Sequence, residues 1–125
     1  MREMLRGCLV GVISVAAVAC RGDVPTVCSA EFRYGMAVHV RDSASGAGLA
    51  NGATVIVRDL NFVDSLAATF PTAADGPFLS AGERAGTYSV TVRHSGYQTW
   101  TRSGIVVTAD GCHVNPINVI ARLQP

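Results

Sequence analysis

Cysteines and histidines are the residues of this 125-residue chain most suited to covalent or metal chemistry. They are Cys8, Cys20, Cys28, Cys112, His39, His94 and His113. A zinc site built from thiolates usually contains a C-x-x-C pair, and none occurs here. The histidines lie in separate segments, without an acidic residue at a spacing typical of a metal or catalytic site. The sequence therefore predicts no metal site and no cofactor.

Nucleophilic catalysis by a serine has no motif in its favour. No G-x-S-x-G segment occurs, and Ser95 precedes Gly96 in a predicted turn without an evident base. A serine nucleophile needs a base within hydrogen-bond reach. We therefore predict a non-catalytic domain with no catalytic residue. Because folding can bring distant histidines together, a hydrolase or a histidine-based metal-binding protein remains the alternative.

The first 20 residues follow the pattern of an export signal, with charged residues first, then an apolar run and then a cleavage site. Two arginines precede an apolar run over residues 9–19, and Cys20 follows it. The run is shorter than the roughly 20 residues that cross a bilayer as a helix. Its end, AVAC, resembles the lipobox cut by bacterial lipoprotein signal peptidase, with alanine where leucine is more frequent. We predict a signal peptide over residues 1–19 and lipidation of Cys20; ordinary secretion after Ala19 is the alternative.

Lipidation would anchor the mature chain in the cell envelope, where stable anchoring takes more than one acyl chain. Arg21 follows the lipidated cysteine, whereas Asp there is the inner-membrane retention signal of Gram-negative bacteria. We therefore expect the outer membrane, with the domain facing the periplasm or the cell surface. In an oxidising compartment Cys28 and Cys112 form an even pair, so a disulfide is expected. A zinc site made of both thiolates and His113 is the alternative.

The mature chain has 106 residues, enough for one domain. It carries eight arginines, eight carboxylates and no lysine. A neutral chain without a basic cluster is not expected to bind nucleic acid. Another envelope protein or a glycan is therefore the expected partner. We assign residues 20–32 to the lipidated N-terminus and linker, and residues 33–125 to the domain.

Alternation of apolar and polar residues predicts seven short strands. They span residues 34–41, 53–59, 78–80, 87–93, 98–103, 105–108 and 118–123. Residues 60–76 are the least regular, and residues 64–69 are compatible with one helical turn. The pattern favours an antiparallel all-β sandwich. Its predicted core consists of Val38, Val40, Val55, Val57, Tyr88, Val90, Val92, Ile105, Val107 and Val119.

A G-x-Y-x-V-x-V segment at residues 86–92, followed by Gly96-Tyr97, is the most specific motif of the chain. Together with Val40-Arg41-Asp42 and Asn51-Gly52-Ala53, it resembles the bacterial carboxypeptidase regulatory-like domain. The resemblance runs from about residue 33 to residue 123. It implies a transthyretin-like (prealbumin-like) Greek-key β-sandwich and no particular chemistry.

Transthyretin-like hydroxyisourate hydrolases share that sandwich but end in Tyr-Arg-Gly-Ser, whereas this chain ends in IARLQP. The ending therefore gives no support to hydrolysis. Tyr97 and Trp100 are the residues most suited to a contact surface, and packing in the core is the alternative for both.

Overall fold

The computed structural model describes residues 27–68 and 73–125. These residues form seven strands: β1 (Tyr34–Asp42), β2 (Thr54–Asp59), β3 (Phe62–Ala67), β4 (Phe78–Gly82), β5 (Gly86–Arg93), β6 (Trp100–Val107) and β7 (Ile117–Leu123). Among the described residues there is no helix, and so none of membrane-spanning length and hydropathy. The predicted signal peptide and Cys20 lie outside the described residues.

The strands form two sheets, in the orders β4-β1-β7 and β3-β2-β5-β6. The predicted all-β sandwich is confirmed. Four of the five strand pairs are antiparallel, but β1 and β7 pair in parallel, so the fully antiparallel expectation is wrong at this pair. Parallel neighbours require a long connection, and the intervening five strands supply it. The Greek-key connectivity stays a prediction.

The core lies between the sheets and is made by the inward residue of each alternating pair. In β5 the inward side chains Tyr88, Val90 and Val92 are at most 1% exposed. All ten residues predicted for the core are buried. Each fully buried valine or larger apolar side chain stabilises the fold by roughly 1.5–3 kcal/mol. The period-two prediction of the core is thus confirmed.

Two local predictions were wrong: β3 was not predicted, and β6 was predicted as two strands. The two errors cancel, so the predicted total of seven strands is the observed one. Asp64 to Ala67 belong to the edge strand β3 rather than to a helical turn. The two strands predicted on either side of Gly104 are one strand, β6. Opposite Ser89, β6 has one extra residue, and Gly104 takes the positive φ of 70° that this bulge requires. A bulged strand therefore resembled two strands in the sequence.

The parallel pair β1–β7 defines two ends of the domain. Its register runs from Met36 opposite Ile117 to Asp42 opposite Leu123. We call the end with the starts of β1 and β7 the proximal end, and the opposite end the distal end. The segment before β1 and the β6–β7 loop therefore both lie at the proximal end. Residues that follow β7 lie at the distal end.

Candidate functional site

A disulfide between Cys28 and Cys112 closes the proximal end of the domain. The Cα atoms are 5.2 Å apart, and 84 residues separate the two cysteines in sequence. The bond joins the segment before β1 to the loop between β6 and β7. Because each cysteine is followed by a polar residue, the bond also brings Ser29 close to His113.

Ser29, His113 and Glu83 form a chain of hydrogen bonds beside this disulfide. Ser29 Oγ lies 2.8 Å from His113 Nε2, and His113 Nδ1 lies 2.7 Å from Glu83 Oε1. The imidazole is buried, with 9% of the residue exposed, whereas Ser29 is exposed. A buried ring therefore contacts a carboxylate on one side and a solvent-accessible hydroxyl on the other.

Backbone groups hold Glu83 in place. Its Oε1 accepts the Arg33 N–H at 2.7 Å, and its Oε2 accepts the Val114 N–H at 3.2 Å. Glu83 itself has a φ of 46°, in the left-handed region. A residue other than glycine adopts this region at a cost of order 1–3 kcal/mol, which the surrounding contacts must offset. The carboxylate is thus fixed from both the segment before β1 and the β6–β7 loop.

Asp110 shapes the loop that carries the histidine. Its Oδ1 accepts the N–H groups of Cys112 and His113, each at 2.9 Å. These two bonds hold the pKa of Asp110 below its usual value. The charged carboxylate therefore stabilises the turn that presents the imidazole to Ser29.

The charge of Glu83 determines which atoms donate in this hydrogen-bond chain. Burial raises the pKa of Glu83, but hydrogen bonds from His113, Arg33 and Val114 outweigh it and the net pKa is lowered. An ionised carboxylate only accepts, so His113 Nδ1 must carry a proton. In the neutral imidazole Nε2 then has the lone pair, and the Ser29 hydroxyl donates to it.

The sequence predicted that His113 has no acidic partner, and this prediction is wrong. Glu83 lies 30 residues away and reaches the imidazole because β4 pairs with β1, next to β7. No sequence spacing signals this contact. The result is a serine with a base in reach and an acid that orients the base.

A cleft of about 220 Å³ lies at the distal end, between the residues preceding β6 and the end of β7. It is lined by Gln98, Thr99, Trp100, Arg122 and Gln124. The Gln98 N–H donates to the Gln124 carbonyl at 2.7 Å and joins the two walls. Ligand pockets combine aromatic surface with a few polar groups. This cleft offers an indole, a guanidinium and two amides, at a size that admits one small chemical group.

A comparison with family models identifies the domain. The model for the carboxypeptidase regulatory-like domain matches residues 35–119, which include β1 to β6 and the start of β7. The chain belongs to this family. The resemblance seen in the sequence is therefore confirmed. A search of curated proteins gave no match.

Carboxypeptidase regulatory-like domains are β-sandwich modules that are non-catalytic in general. In this member Glu83 and His113 lie within the matched residues, whereas Ser29 precedes them. The hydrogen-bond chain at the proximal end thus joins the regulatory-like domain to a segment outside the family match.

The two residues predicted for a contact surface have different surroundings in this regulatory-like domain. Trp100 lines the distal cleft and packs partly against the core. Tyr97 is half-buried; its hydroxyl donates to Asp42 Oδ2 at 2.8 Å, and its ring meets His94 edge-on. Tyr97 therefore links the β5–β6 loop to the end of β1 and does not line the cleft.

Asp42 makes several charge-dependent contacts at the distal end. Its carboxylate accepts the N–H groups of Ser45 and Ala44 and the Tyr97 hydroxyl. Led by the Ser45 bond, these contacts lower the pKa of Asp42 to about 2. The same contact with Asp42 raises the pKa of Tyr97. The turn after β1 thus depends on an ionised carboxylate.

The three histidines have separate neighbours. His39 Nδ1 lies 3.4 Å from Asp75 Oδ2, which also binds the Arg41 guanidinium at 2.8 Å. The ring nitrogens of His94 lie within 2.9 Å of backbone carbonyl oxygens. Over residues 27–68 and 73–125, no three His, Cys, Asp or Glu side chains are grouped to hold a metal ion. Cys28 and Cys112 are bonded to each other, which leaves no thiolate pair for zinc.

Proposed function

We propose that this chain is an envelope lipoprotein that presents its regulatory-like domain as a binding module. The observation that carries the proposal is the opposite placement of the N-terminal segment and the cleft. The chain enters the domain at the proximal end through Cys28, whereas the cleft lies at the distal end. A ligand could therefore reach the cleft while the N-terminus stays at a membrane.

Chain lengths are consistent with this orientation. Seven residues lie between Cys20 and Cys28, and the eight Cα–Cα steps that join the two cysteines span at most about 28 Å. The seven residues of β7 cover about 20 Å between the two ends of the domain. The linker is therefore long enough for an orientation in which the cleft stands away from the lipid headgroups, on the side available to another envelope component.

The cleft chemistry favours a polar partner. Arg122 forms no ion pair with another described residue, so its guanidinium is available to a carboxylate or to sugar hydroxyls. Trp100 offers ring surface, and Gln98 and Gln124 offer amide groups. An envelope glycan or an envelope protein fits this set of groups. The formal neutrality of the mature chain gives no support to nucleic acid.

A pulldown from envelope membranes tests the proposal. The bait is the full lipidated chain, compared with Arg122→Gln and with Arg102→Gln as the matched control, because Arg102 is an exposed arginine of β6 outside the cleft lining. We expect one partner to be retained by the wild type and by the Arg102 variant and lost from the Arg122 variant. A domain that serves only as a structural spacer retains no partner in any of the three.

A further inference from the structure

We propose that Ser29 is a nucleophile, with His113 as its general base and Glu83 as the residue that orients the imidazole. The site would transfer the acyl group of an ester to Ser29 and then to water. This activity goes beyond the binding function proposed above and does not depend on it, because the two sites lie at opposite ends of the domain.

The geometry meets the requirements for activating a serine. The nucleophile–base distance of 2.8 Å and the base–acid distance of 2.7 Å both lie within hydrogen-bond reach. The ionised Glu83 keeps the proton on Nδ1, which leaves the Nε2 lone pair directed at the Ser29 hydroxyl. The imidazole is shielded from water by burial, whereas Ser29 is an exposed residue.

Covalent structure keeps the two reacting residues together. The disulfide joins the residue before Ser29 to the residue before His113, with 5.2 Å between the Cα atoms. The same segment is also held at Arg33, whose N–H donates to Glu83 Oε1 at 2.7 Å.

The reaction balances without a further reagent. The Ser29 hydroxyl gives its proton to His113 Nε2 as Oγ bonds to the ester carbonyl carbon, and the carbonyl π electrons move to the oxygen. When the intermediate collapses, the C–O bond to the alcohol breaks, and the alcohol leaves with the proton from Nε2. Water then gives a proton to Nε2 and attacks the acyl carbon. The carboxylic acid departs, and Ser29 regains its proton.

Labelling with a fluorophosphonate probe tests this proposal, because a serine oxygen displaces fluoride only when it is activated. The full chain with its disulfide intact is treated, and the labelled peptide is identified by mass spectrometry. We expect the label on Ser29, with a rate at least about 100-fold lower in His113→Gln, as is typical for loss of a general base. Ser29→Ala should remove the label, and Ser95→Ala, at another exposed serine, should keep it.

Two further measurements distinguish activation from a structural contact. Glu83→Gln, checked by thermal unfolding, should lower the labelling rate about 10-fold or more, since the amide carries no charge to keep the proton on Nδ1. Reduction of the disulfide should also suppress the label. The proposal is overturned if Ser29 is not labelled above Ser95, or if His113→Gln and Glu83→Gln are labelled at the wild-type rate. Arg122→Gln, which is expected to lose binding at the cleft, should be labelled at Ser29 at the wild-type rate.

Discussion

Removal of the Cys28–Cys112 disulfide should destabilise the folded domain, because the bond joins two residues that are far apart in the sequence. The bond closes a loop of 84 residues, so in the unfolded state it restricts almost the entire described domain. In the chain-entropy model this restriction stabilises the folded state by about 4.6 kcal/mol. For a domain of this size, such a loss corresponds to a decrease of roughly 20–35 °C in melting temperature.

The double variant Cys28→Ser/Cys112→Ser is the appropriate perturbation, because a single substitution leaves a reactive thiol. Guanidinium unfolding followed by circular dichroism gives the free energy of unfolding and the slope m. The unfolded variant is less compact, so m should also increase. The wild type with and without a reductant provides the control. A loss below about 1 kcal/mol would refute the view that the bond constrains the unfolded chain.

The remaining predictions concern the core and the distal turn. Val90→Ala should destabilise the fold by about 2–3 kcal/mol, since it leaves a cavity at a fully buried site. Val106→Ala, at a residue that is 55% exposed, should change the free energy of unfolding by no more than about 0.5 kcal/mol. Equal effects of the two variants in chemical unfolding would contradict the assignment of Val90 to the buried face and Val106 to the exposed face. Because the pKa of Asp42 is lowered to about 2, its contribution to stability should be present above about pH 4 and be lost as the pH falls towards 2. Tyr97→Phe should move that loss to higher pH in acid unfolding curves, and an unchanged curve would contradict the role of the hydroxyl.

Side-chain periodicity accounts for what the sequence predicted of the fold. In β5, Tyr88, Val90 and Val92 alternate with the polar residues Ser89, Thr91 and Arg93, so the buried face could be assigned from the pattern alone. Strand β3 was missed because Asp64 and Ser65 interrupt its apolar character at an edge of the sheet. The parallel pairing of β1 with β7 joins distant segments, and local patterns carry no information about it.

The candidate sites were predictable to different degrees. Cys28 and Cys112 were found because they are the even pair left once the predicted signal peptide and Cys20 are set aside. Trp100 was singled out by residue type, but the cleft around it also needs Arg122 in β7 and Gln124 after it, which are distant in sequence. The contact between His113 and Glu83 depends on the arrangement of β4, β1 and β7, and neither its existence nor the proximity of Ser29 could be derived from spacing.

Acylation of Cys20 is the most direct test of the central claim, that this regulatory-like domain is an envelope lipoprotein. The full chain is expressed in a Gram-negative host, extracted from the membrane fraction, and analysed by mass spectrometry of its N-terminal peptide. The account predicts a mature chain that begins at Cys20 and carries acyl chains. An unmodified soluble chain that begins at any other residue would contradict it.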